Sequence, residues 1–82
     1  MTDREEKAMR KLHEQRLAGD FIRLHCKGMR VTAQEGQEEM LKYWGVSVDW
    51  HEFVTVLGDM RSVGDAERVA LTSSRQVIYR IK

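Results

Sequence analysis

The sequence predicts an α+β fold: three helices followed by a C-terminal two-stranded β-hairpin. Three observations carry this. Apolar residues recur at helical spacing up to Met60, and two of the helical segments open on capping-box sequences. Beyond Gly64-Asp65 the period changes from helical to alternating. There is no proline, repeat or low-complexity tract to mark a boundary, so residues 1–82 read as one domain.

The first helix is expected from Asp3 to Lys27, where Met9, Leu12, Leu17, Phe21 and Leu24 recur at helical spacing among charged residues. Gly19-Asp20 is its weak point, because Gly costs about 1 kcal/mol inside a helix and Asp20 offers a cap to a fresh helix at Phe21. The reading is one long helix, bending there if anywhere and stopping at Gly28. "MRVT" is then a short extended link. Thr32 and Glu35 form a capping box for the second helix, which presents Met40, Leu41 and Trp44 on one face and ends at Gly45. Its interior Gly36, unfavourable in a helix, is expected to mark close packing against the first helix. Asp49 caps the third helix, with Glu52 in capping-box position. Trp50, Phe53, Val54 and Leu57, at i, i+3, i+4 and i+7, form the expected buried stripe. In the hairpin, Val69 and Leu71 share one parity, Val77, Tyr79 and Ile81 share the other, and "TSSR" makes the connection. A lone hairpin is marginal, so its apolar side should rest on the helices.

Charge says more by region than in total. The net charge is +1. Residues 1–30 hold eight Lys/Arg against five Asp/Glu, residues 31–66 two against seven, and residues 67–82 four against one. An acidic middle therefore lies between basic ends, and an anionic partner should meet the ends. A single Cys26 allows no internal disulfide, which fits a reducing compartment. There is no signal-peptide core and no apolar stretch long enough to span a membrane, so a cytoplasmic protein is the expectation.

The order helix, link, helix, glycine turn, helix, hairpin resembles the winged helix-turn-helix superfamily from Lys7 to Ile81. It is carried by "VTAQEGQEEMLKYWGVSVDWHEFVTVLGDM" and "RVALTSSRQVIYRIK". The resemblance implies a DNA-binding regulatory protein. Two departures qualify it. Leu41, four residues before the turn Gly45, is bulky where the superfamily is usually small, which implies an altered helix crossing. The third helix would turn His51, Glu52, Thr55, Val56 and Asp59 outward, and the acids among them oppose entry into a phosphate-lined groove.

Catalytic chemistry is not indicated. His25 and Cys26 are adjacent, so on a helix they point about 100° apart, and no CxxC or HxxxH spacing supports a metal site. Phosphate loops and nucleophile elbows are absent, and neither an enzyme nor a cofactor is expected. Trp44 and Trp50 read as core, Tyr43 as exposed, and Met9, Met29, Met40 and Met60 as gap-fillers. Two functions follow. The first is a small nucleic-acid-associated regulator touching DNA through the hairpin and first helix, with Arg68, Arg75, Arg80, Lys82 and Lys11 as contacts. The second is a protein-binding adaptor or inhibitor whose acidic face presents Glu52, Thr55, Asp59 and Tyr43. A homodimer through the first helix is a further expectation.

Overall fold

A computed structural model describes residues 2–82. Helix α1 spans Asp3–His25, β1 Arg30–Val31, α2 Ala33–Trp44, α3 Trp50–Ser62, β2 Ala66–Leu71 and β3 Val77–Ile81. The α+β class holds, with one addition. The hairpin β2–β3 gains a third strand, giving an antiparallel sheet ordered β1-β3-β2. Arg30 lies opposite Arg80 and Val31 opposite Tyr79. The Ile81 N–H donates to the Met29 carbonyl at 2.9 Å, and the Gly28 N–H to the Ile81 carbonyl at 2.7 Å. Two residues are too short for an alternating pattern, so "MRVT" reads as extended without revealing its distant partner.

Helix α1 is unbroken at Gly19. That glycine is buried against α3, where a Cβ would come within 3.0 Å of an Arg23 guanidinium nitrogen and 3.7 Å of Val56 Cγ1. Its small size serves packing, and Asp20 caps nothing. The buried face of α1 is confined to Ala18, Gly19, Phe21 and Ile22. Met9, Leu12 and Leu24 of the expected stripe are exposed. Every residue from Thr2 to His13 lies at the surface, so the first half of α1 runs on beyond the body of the protein. A capping box starts it: the Glu5 N–H donates to Thr2 Oγ1 at 3.2 Å and the Thr2 N–H to Glu5 Oε2 at 3.3 Å.

The predicted Thr32–Glu35 box opens α2, with the two reciprocal bonds at 3.1 and 3.2 Å. Gly45 ends the helix in the left-handed region, φ 66°, and its N–H donates to the Leu41 carbonyl at 3.0 Å. The side chain of Leu41 faces solvent, so its bulk leaves the helix crossing untouched. Close approach occurs instead at Gly36, and toward α3 rather than α1. A Cβ there would lie 3.0 and 3.1 Å from two carbons of the Phe53 ring.

That contact corrects the orientation of α3. The buried residues are Phe53, Val56, Leu57 and Met60, together with Glu52, whereas Trp50 and Val54 are exposed. Six apolar residues lie on this helix, more than one interface can cover. At about 100° per residue, Trp50 and Val54 fall on one flank of Phe53 and Val56 on the other, so the choice between flanks is made by packing. Asp49 caps α3 by accepting from the His51 N–H at 2.9 Å. Glu52 makes no capping box, because its carboxylate is turned toward α1. Of the methionines, Met40 and Met60 fill the core while Met9 and Met29 are exposed.

Two helical glycines therefore predict opposite responses. Gly36→Val should lower the unfolding free energy by about 2 kcal/mol through overpacking on Phe53. Gly58→Ala, where a Cβ meets nothing within 4 Å, should raise it by about 0.5–1 kcal/mol. Urea denaturation with an unchanged m-value is the measurement.

Candidate binding cleft

The turn joining β2 to β3 is set by two backbone bonds. The Arg75 N–H donates to the Thr72 carbonyl at 2.9 Å, and the Thr72 N–H to the Gln76 carbonyl at 2.9 Å. This is a three-residue hairpin loop, whose third position takes the left-handed conformation and favours glycine. Arg75 occupies it at φ 65°. An L-residue with a long side chain there costs about 1 kcal/mol relative to glycine. The tip is also tethered sideways, since Gln76 Nε2 donates to Gln34 Oε1 on the first turn of α2 at 2.7 Å.

Between this tip and α3 lies an open cleft of about 420 Å³. Trp50 and Val54 form one wall, Val77 and Tyr79 the other, with Ala33 between them and Arg75 as the charged residue of the lining. Trp50 is 45% and Val54 43% exposed, and the Trp50 ring stacks on His51 at 4.4 Å between centroids. Leu71 lies directly opposite Val77, and Arg68 directly opposite Tyr79. Directly opposed residues project from the same face of a sheet, so the apolar surface continues onto Leu71 and Arg68 shares the cleft side. A register shift between Arg68 and Ala70 accommodates Val69.

The expected DNA-contact residues do not form one surface. Arg75 lines the cleft, and Arg68 shares the sheet face of Tyr79. Arg80 lies on the opposite sheet face, paired at 2.7 Å with Glu67 and opposite Arg30. Lys82 lines a separate hollow with Asp65, Arg23 and Lys27, and Lys11 sits on the free half of α1. Arg30 joins Arg80 on the opposite sheet face through β1, a strand too short for any sequence pattern to mark.

The expected protein-contact residues divide as well. Thr55 and Asp59 are exposed on α3, with the Thr55 hydroxyl donating to the His51 carbonyl at 3.1 Å. Glu52 does not belong to that surface. It is only 7% exposed, and its Oε2 accepts from Gln15 Nε2 on α1 at 2.7 Å. Tyr43 is exposed but lies elsewhere, in an aromatic cluster on α1 and α2. There the His25 ring stacks on Phe21 at 4.7 Å and on Tyr43 at 5.7 Å. The indole N–H of Trp44 donates to His25 Nε2 at 3.0 Å, so Trp44 is a core-flanking residue with its polar edge satisfied. Trp50, expected in the core, is instead the principal exposed aromatic of the cleft.

Cys26 is buried beside that cluster. Burial first, then the carboxylates of Glu39 and Glu35, push its thiol above the ordinary value. This is the reverse of an activated nucleophile. Among the described residues, no three His, Cys, Asp or Glu side chains are gathered so as to hold a metal ion. Nor, among them, is any helix long and apolar enough to cross a membrane. Comparison with protein-family models, curated proteins and solved structures finds no match to this chain.

Three outcomes follow from this geometry. Arg75→Gly should raise the unfolding free energy by about 0.5–1 kcal/mol by relieving the left-handed backbone, read by urea denaturation. Glu52→Lys should cost about 2 kcal/mol or more, because it buries a cation where an anion accepted a hydrogen bond. Its effect would appear in the melting curve before any binding assay. Cys26 should react with iodoacetamide far more slowly in the native protein than in urea. Because its folded pKa is raised, the stability it contributes is present below the unfolded thiol pKa and is lost as pH rises through the folded one.

Proposed function

We propose that this chain is a non-enzymatic, winged-helix-like protein-binding module. Its contact site is the cleft between α3 and the hairpin. The observation that carries this reading is the exposure of Trp50 and Val54 in a concave apolar surface opposite Val77 and Tyr79. Exposed apolar area gathered in one place marks an interaction site, and a large aromatic at its centre is the usual anchor. Arg75 supplies a cation at the rim, where it pairs with an acid on the partner and fixes orientation. The partner segment is accordingly apolar with an acidic neighbour.

DNA contact is the second reading. It is favoured by Arg75, an arginine placed at the hairpin tip against the backbone preference, and by the withdrawal of Glu52 from the surface of α3. Against it stand the division of the cations between two sheet faces and the ion pair that engages Arg80. An array of Lys and Arg facing one way is what neutralises phosphates.

Selection from a displayed peptide library against wild-type protein, counter-selected on Trp50→Arg, tests the first reading. The expected result is a set of apolar, acid-containing peptides whose binding is lost in both Trp50→Arg and Arg75→Glu. Failure to enrich any Trp50-dependent peptide would overturn it. A parallel titration of duplex DNA that weakens with salt, with a shallower slope in Arg75→Ala, would transfer the site to nucleic acid.

A further inference from the structure

The same chain carries a second surface with no partner, the first half of α1. From Thr2 to His13 every residue is exposed, with Met9 57% and Leu12 66% exposed. A helical stretch of this length is marginal in water unless one face packs against something. The face it would offer can be read from the helical period. At about 100° per residue, Glu5, His13, Leu12 and Glu6 lie within roughly 60° of Met9, whereas Arg4, Lys7 and Lys11 point to the opposite side. This half-helix therefore presents two apolar side chains with acids one turn before them, and turns most of its cations away.

That is the chemistry which the cleft asks of a partner: apolar groups for Trp50, Val54 and Tyr79, and an acid for Arg75. We infer that the cleft accepts the first half of α1 from a second copy of this chain. Met9 and Leu12 rest on Trp50 and Val54, and the Glu5–Glu6 end lies over Arg75 and Arg68. From Glu5 to Leu12 is about 10 Å along the axis, so a single short segment supplies both the charge and the apolar contact. The inference rests on reading the cleft as a protein-binding site, and it names the helix class admitted: amphipathic, with acid at its N-terminal end. Self-docking would also place the cleft under concentration control, because a foreign helix must displace the second copy.

Sedimentation velocity of the full chain over a range of concentrations tests this. Wild type should self-associate reversibly. A reciprocal exchange of helices closes at two copies and a one-way contact propagates, and either outcome meets the expectation. Met9→Glu/Leu12→Glu lies wholly on the exposed half-helix, so the fold is retained and association should be lost. Arg75→Glu should also lose association, and Arg75→Glu combined with Glu6→Lys, which leaves the Thr2–Glu5 capping box intact, should restore it. A wild type that stays monomeric at its highest soluble concentration would overturn the inference, as would association indifferent to Met9→Glu/Leu12→Glu. If such a monomer still selects Trp50-dependent peptides, self-docking alone has failed. If no peptide is selected either, the reading of the cleft fails with it.

Discussion

The ring of Phe53 rests on the bare backbone of Gly36, and the rotation of α3 follows from that contact. With no side chain on Gly36, α2 and α3 approach until the ring lies 3.0 Å from where a Cβ would be. Phe53 is fully buried, and Leu57 and Met60, on the same side of the helix, follow it into the core. Once that line is fixed, the rest of α3 has no freedom. Val56 comes to lie near Gly19 on α1, Glu52 reaches Gln15, and Trp50 and Val54 are left facing the hairpin. One small-to-large contact thus decides which apolar residues are structural and which are displayed.

The hairpin completes what α3 begins. Its central strand β3 is held on one side by β2 and on the other by β1, so Tyr79 is fixed between Val31 and Arg68. Ile81, further along the same face, is buried in the core. The strand therefore enters the core at one end and leaves it at the other, where Val77 and Tyr79 are only partly covered. The bond from Gln76 to Gln34 ties the free end to the first turn of α2, beside Ala33 of the cleft lining. A cleft built from rigid elements on both sides loses little conformational entropy when it is filled.

Element order, the Thr32–Glu35 box, the Gly45 stop and the hairpin were legible because each depends on local chemistry: a side chain reaching a nearby N–H, a residue tolerating positive φ, a change of period. What was not legible depends on contacts between distant residues. Six apolar residues on α3 fit two stripes equally well, and only Gly36, seventeen positions before Phe53 in the sequence, selects between them. Gly19 reads locally as a helix breaker and serves globally as a packing residue, since continuity of α1 is supported by Ala18, Phe21 and Ile22 in the core. The candidate site was half visible for the same reason. Arg75 at the hairpin tip follows from the turn, whereas Trp50 could not be moved from core to surface without knowing the rotation of α3.

The regional charge pattern also changes meaning once folded. The carboxylates of the acidic middle do not all face a partner, because several of them have local duties. Glu35 closes a capping box, Asp49 caps α3, Glu52 is held inside by Gln15, and Asp65 lies 3.7 Å from Arg23. The basic C-terminal end is likewise divided, with Arg80 answered by Glu67. Exposed charges on different faces act on a partner only at short range, because their fields are screened beyond a Debye length of about 8 Å in physiological salt. On the proposed reading, recognition falls to short-range contact, with the exposed Trp50 and its apolar neighbours supplying affinity and the Arg75 guanidinium supplying direction. In that arrangement Arg75 gains its value from where the turn holds it, at the border of an apolar cleft, and the backbone cost of holding it there is consistent with a residue placed for contact rather than for stability.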